Sequence, residues 1–140
     1  MKKIIMAVIC FWISSAAMAQ NKFDNWKELK SFHTVMSETF HPSEEGNLKP
    51  IRERADELYK KAEALSKSTI PAEINTPETH KALHKLAVGC NELKTLIDKK
   101  GNDADVTKKL SEVHDLFHTI VEKCAPKSGD SHNHEGHNHN

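Results

Sequence analysis

Apolar residues recur at spacings of three and four in four separate stretches of the chain, the period of a helix that buries one side. The first stretch predicts a helix from Asp24 to Phe40, with Trp26, Leu29, His33, Met36 and Phe40 on its stripe and Phe32 and Val35 widening it. Asn25 with Glu28 has the spacing of a capping box at its start. Pro42 and Gly46 then break the pattern, since a proline disfavours the helical conformation of the residue before it. From Asn47 a second stripe runs through Leu48, Ile51, Ala55, Leu58, Ala62 and Leu65. Residues 69–75 carry Pro71 and no period, and read as a connection. Thr76-Pro77-Glu78 supplies a cap, a proline at the first helical position and an acid in the first turn. The third stripe is Leu83, Leu86, Cys90, Leu93 and Ile97, stopped by Lys99-Lys100-Gly101. The fourth starts near Asp103, carries Val106, Leu110, Val113, Phe117, Ile120 and Cys124, and ends before Pro126.

Four amphipathic helices of roughly 17 to 22 residues with short connections predict an all-α, up-down-up-down antiparallel four-helix bundle. The charges of the second helix, Arg52, Glu53, Arg54, Glu57, Lys60, Lys61 and Glu63, read as a solvated face. The bundle is expected to occupy residues 20–126.

Both ends differ in character. Lys2 and Lys3, the apolar run Ile4 to Ile13 and Ala17-Met18-Ala19 form a secretory signal over residues 1–19. The apolar run is too short to span a bilayer, so no membrane insertion is expected after cleavage. The expected location is exported, periplasmic or secreted. Residues 127–140 are polar and histidine-rich, and are expected to be disordered. Removing Lys2 and Lys3 leaves 18 basic against 20 acidic residues, near −2 with neutral histidines. That balance offers no nucleic-acid footprint. Cys90 and Cys124 remain after processing, and on a helical hairpin they differ in level by about 17 Å, too far for a disulfide.

The candidate chemistry is in the histidines, ten in 140 residues. His132, His134, His137 and His139 form His-x-His-x-x-His-x-His, four neutral donors of the kind that bind zinc, copper or nickel. Within the bundle, His80 with His84 and His114 with His118 are pairs four residues apart, the spacing that offers two imidazoles to one ion. Folding the last two helices about Gly101 and Asn102 pairs residues whose numbers sum to roughly 203. Cys90 then meets His114, His84 meets His118, and His80 meets Cys124. The same levels bring His33 toward Ala55, Cys90 and His114, a soft donor set with Met36 one turn away. A weaker candidate gathers Glu38, His41, Glu44 and Glu45 with Asp98, Asp103 and Asp105 at one end of the bundle. Each single histidine also has an ordinary reading as a hydrogen-bonded edge residue.

Motifs for catalysis are missing: no nucleophile elbow, phosphate loop or His-Glu-x-x-His pair is present, and the paired Glu-x-x-His of a di-iron bundle is not formed. A non-catalytic protein is expected. An exported leader, four short-looped helices and a histidine late in the fourth helix resemble the cytochrome b562 and cytochrome c-prime group. The resemblance implies a haem-binding electron-transfer protein, with His118 or His114 opposite Met36, or His84 with His118, as axial ligands. No Cys-x-x-Cys-His is present, so the implied haem is non-covalent. Two further classes stand beside it. One is a copper or zinc buffering, resistance or delivery protein working with an envelope metal transporter or another periplasmic protein. The other is a plain envelope interaction module.

Overall fold

A computed structural model describes residues 25–124, which form four helices and one short 3-10 turn. The helices are α1 (Lys27–Glu44), α2 (Lys49–Ser66), α3 (Pro77–Asp98) and α4 (Asp103–Cys124), with the 3-10 turn at Ala72–Ile74 between α2 and α3. The signal segment and the histidine-rich tail lie outside the described residues.

Successive helices pack antiparallel, α1 on α2, α2 on α3 and α3 on α4. The ring closes between α1 and α4, where the backbones meet more sparsely than at the other three seams. The all-α antiparallel bundle expected from the periodicity is the observed fold. Every stripe residue expected in α2 and α4 is buried, as are Leu83, Leu86, Cys90 and Leu93 of α3. At about 1.5–3 kcal/mol for each fully buried large aliphatic or aromatic side chain, this continuous core is the dominant stabilising term. No described helix is long and apolar enough to cross a membrane.

α1 departs from expectation in three ways, each with a local cause. Its stripe is Leu29, Phe32, Val35, Met36 and Thr39, which leaves His33 exposed beside the stripe and Phe40 half-buried. Thr39 is tolerated in the core because its hydroxyl donates to the Val35 carbonyl at 2.8 Å. The N-cap is Trp26 with no side-chain cap bond, so the Asn25 and Glu28 capping box does not form. Burial of the Trp26 indole fixes the entry instead, its N–H donating to Ser68 Oγ at 2.8 Å and tying the start of α1 to the end of α2. The helix also continues through Pro42. A proline this close to the end removes a single helical hydrogen bond. The Phe40 carbonyl accepts from Ser43 Oγ at 2.6 Å. The helix then stops in a Schellman turn, with Asn47 N donating to the Pro42 carbonyl, Gly46 N to the Ser43 carbonyl, and Gly46 at φ +81°.

The turn between α3 and α4 has the same bonding one residue off its expected place. Gly101 N donates to the Leu96 carbonyl at 2.8 Å and Lys100 N to the Ile97 carbonyl at 2.9 Å, so Lys100 holds the left-handed position at φ 57°. Gly101 is needed for space: a Cβ there would lie 2.5 Å from Leu96 Cδ1 and 3.0 Å from the Leu96 carbonyl oxygen. Arg52 of α2 braces the turn, donating to the Gly101 carbonyl at 2.9 Å and to Asp103 at 2.6 Å. Lys100→Gly relieves a left-handed conformation costing roughly 1–2 kcal/mol in residues with a Cβ and is expected to raise stability by about 1 kcal/mol. Gly101→Ala is expected to lower it by a similar amount. Urea denaturation of the two variants, with opposite shifts in midpoint, checks the assignment.

Candidate functional site

The seam where α1 meets α4 holds a groove of about 180 Å³ lined by His33, Met36, Ser37, His41, His114, Phe117 and His118. Four of the bundle's histidines therefore share one groove, two from each helix. His33 and His41 are eight residues apart and so lie on one side of α1. On α4, His114 and His118 are one turn apart. Because α1 runs through Pro42 instead of stopping at Phe40, His41 belongs to this groove and not to a loop, which the sequence reading missed.

Aromatic stacking sets the ring orientations. His114 lies flat on Phe40, with ring centroids 3.7 Å apart and 5° between planes. His33 stacks on Phe117 at 5.5 Å and 14°, and Phe117 in turn tilts against Phe32 in the core at 5.1 Å. The outcome is that the Nε2 atoms of His114 and His118 face each other at 3.1 Å. At this distance one neutral ring donates an N–H to the other, and both cannot carry a proton on Nε2. Two nitrogens bound to one ion at about 2.0–2.1 Å stand about 2.9–3.4 Å apart for angles from 90° to tetrahedral. The pair is therefore already at chelating separation.

Electrostatics favour the neutral forms of His114 and His33. His114 is held below its ordinary value, first by burial and then by His118, with His41 adding to the effect and Asp115 and Glu44 opposing it. His33 is shifted the same way, first by burial of the covered part of its ring and then by His118 and His41. His41 Nδ1 also contacts Glu44 Oε2 at 3.0 Å, placing a carboxylate at the lower end of the groove.

The other sequence candidates go elsewhere. His84 stands exposed on the outer side of α3, bordering a groove toward α2 with Tyr59 and Glu63, and another toward α4 with Lys109 and Glu112. His80 is exposed and bonds Asn75 Oδ1 at 2.8 Å. Cys90 is buried in the core, and burial pushes its thiol up to about 12, which keeps it protonated and a poor ligand at neutral pH. The expected ladder of Cys90 with His114, His84 with His118 and His80 with Cys124 is not assembled. The rotation of each helix about its axis is the reason: the residue after a stripe position turns to opposite sides in antiparallel neighbours, so His118 of α4 borders the groove with α1 while His84 of α3 stands on the outer side, between the grooves toward α2 and α4.

The carboxylate cluster is dispersed as well. Glu38 pairs with Arg54 at 2.7 Å, Asp103 with Arg52 at 2.6 Å, Asp98 with Lys94 at 2.5 Å, and Asp105 accepts from Asn102 at 2.8 Å. Cys90 and Cys124 are both buried and are not bridged to each other. Among the described residues no three histidine, cysteine or carboxylate side chains stand close enough together to hold one metal ion. His132, His134, His137 and His139 lie outside the described residues.

The fold and groove define an all-α four-helix bundle with a histidine pair at its closing seam. No family model, curated protein or solved structure matches the chain.

Folded-state histidine values below the unfolded value near 6.5 make the unfolded chain the stronger proton binder between the two. The stability due to neutral His33 and His114 is thus full above pH 6.5 and lost as pH falls through their depressed values. Urea midpoints at pH 7.5 and 5.5 are expected to show a drop for the parent protein and a smaller drop for His114→Gln.

Proposed function

We propose that this is an exported transition-metal-binding protein, serving copper or zinc buffering, resistance or delivery, that uses the groove between α1 and α4 together with the C-terminal histidines. The observation that carries the reading is the His114 and His118 pair, with facing Nε2 atoms 3.1 Å apart. Neutral imidazoles bind divalent copper and zinc without first losing a proton, and the depressed value of His114 keeps that ring neutral at pH 7. Met36 in the groove lining adds a thioether within the same wall, a donor type that suits copper in its reduced state. The signal segment and the tail pattern support an envelope role, with an envelope transporter or another periplasmic protein as exchange partner.

Haem, implied by the resemblance to cytochrome b562, receives less support. The groove of about 180 Å³ is below the roughly 300–1,000 Å³ of pockets that take drug-sized ligands and cofactors. Met36 lies near the middle of α1, and His84 and His118 border different grooves.

Elemental analysis and an absorption spectrum of untagged protein from its own envelope test the reading. Copper or zinc at one equivalent or more is expected, falling on His114→Asn with His118→Asn. A Soret band would replace the metal reading with the cytochrome one. Protein with neither metal nor haem, and no zinc or copper uptake on titration, would leave the interaction module.

A further inference from the structure

We infer that the seam is also where two copies of this chain meet, each giving His114 and His118 to one shared divalent metal ion on a two-fold axis between them. This rests on the metal-binding reading above. Each pair carries half of a shell. With Nε2 atoms 3.1 Å apart and bonds of about 2.0–2.1 Å, the angle at the ion is about 95–102°, close to that between neighbours in a tetrahedral site. Zinc and related ions in closed protein sites take four ligands, and among the described residues no third histidine, cysteine or carboxylate joins the two as a ligand set. His33 and His41 border the same groove, but the His33 ring lies on Phe117 and His41 contacts Glu44. A second copy related by a two-fold axis presents the same two nitrogens, because the surfaces that meet in such a dimer are identical. Two pairs set crosswise complete a shell of four nitrogens.

The surroundings of the pair suit a cation held between two like surfaces. His118 is exposed, so an ion on its Nε2 is open to ligands from the solvent side. The chain has 20 lysines and arginines, yet none falls in residues 31–48 or 110–122, the parts of α1 and α4 that line the seam. Glu38 is paired with Arg54 and Glu112 with Lys109, which leaves Glu44, Asp115 and Glu122 as exposed carboxylates there. Asp115 lies three residues before His118 and Glu122 four after it, so both share its side of α4. Two copies brought together without an ion set these carboxylates against each other, and like charges oppose docking. A divalent ion at the centre reverses the sign of that interaction, which makes association conditional on metal. The relief around the pair is low. Ser111, about two turns before His118, has a short side chain, and Thr119 folds its hydroxyl back to donate to the Asp115 carbonyl at 3.2 Å.

The test is sedimentation equilibrium of the intact protein in zinc(II) and in chelator, with bound zinc counted in parallel. Two full-length variants complete the set: H132N/H134N/H137N/H139N, which changes only residues beyond the four helices, and the same chain with His118→Asn added. Because His118 is exposed, its replacement spares the core, and a urea midpoint equal to that of the parent checks this. In chelator the mass of one chain is expected throughout. At half an equivalent of zinc per chain, the intact protein and the tail variant are expected to show the mass of two chains, with one zinc per dimer in the tail variant. Adding His118→Asn is expected to abolish the dimer at the same concentration. A dimer in chelator would overturn the shared site, as would a zinc-dependent dimer that is lost in the tail variant or that survives His118→Asn. Zinc bound by the tail variant at the mass of a single chain would overturn the shared site and leave the metal reading standing. Absence of zinc uptake by the intact protein would overturn both.

Discussion

The closing contact of the bundle is the stack of His114 on Phe40, and the arrangement of the groove depends on it. Three seams are sealed by continuous apolar stripes, but the first and last helices approach each other more sparsely. There the join is made by rings: Phe32 against Phe117, Phe117 against His33, and Phe40 against His114. A ring lying flat on a half-buried phenyl has little rotational freedom. His114 is thereby held with its Nε2 aimed along the seam at His118. An imidazole at this place serves two purposes, covering the edge of the core with its face and presenting a nitrogen with its edge.

The same packing sets the chemistry of the pair. Partial burial and the neighbouring rings lower His114 and His33, outweighing Asp115 and Glu44 at His114, so these two rings are held neutral near pH 7. Under the metal-binding proposal, protons and metal ions would compete for His114, linking acidification to both a weaker seam and metal release. Glu44 beside His41 adds the negative charge that favours a cation at one end of the groove.

Most of the fold was legible because it rests on period alone. The stripes of α2 and α4 are buried residue for residue, and Thr76 caps α3 as its sequence indicates, accepting from Thr79 N. What was not legible depends on phase and hand. On α1 the period admits either His33 or Phe32 on the stripe, and the larger apolar surface of Phe32 wins the core. Pro42 is a helix breaker in general, but in a last turn it removes one hydrogen bond, so His41 remained helical and joined the groove. Levels along two antiparallel helices follow from counting residues, whereas facing follows from the hand of the bundle. For that reason His114 and His118 border the groove with α1, while His84 borders other grooves and His80 bonds Asn75. The signal that was available is that His33, His114 and His118 each follow a core residue by one position, on the two helices that close the ring.

The most direct measurement is anomalous diffraction at the metal edge from crystals of the intact protein grown with one equivalent of zinc. A single strong peak is expected on the seam, about 2.0–2.1 Å from Nε2 of both His114 and His118. A peak remote from that pair, or none in the groove at full occupancy of the protein with zinc, would contradict it.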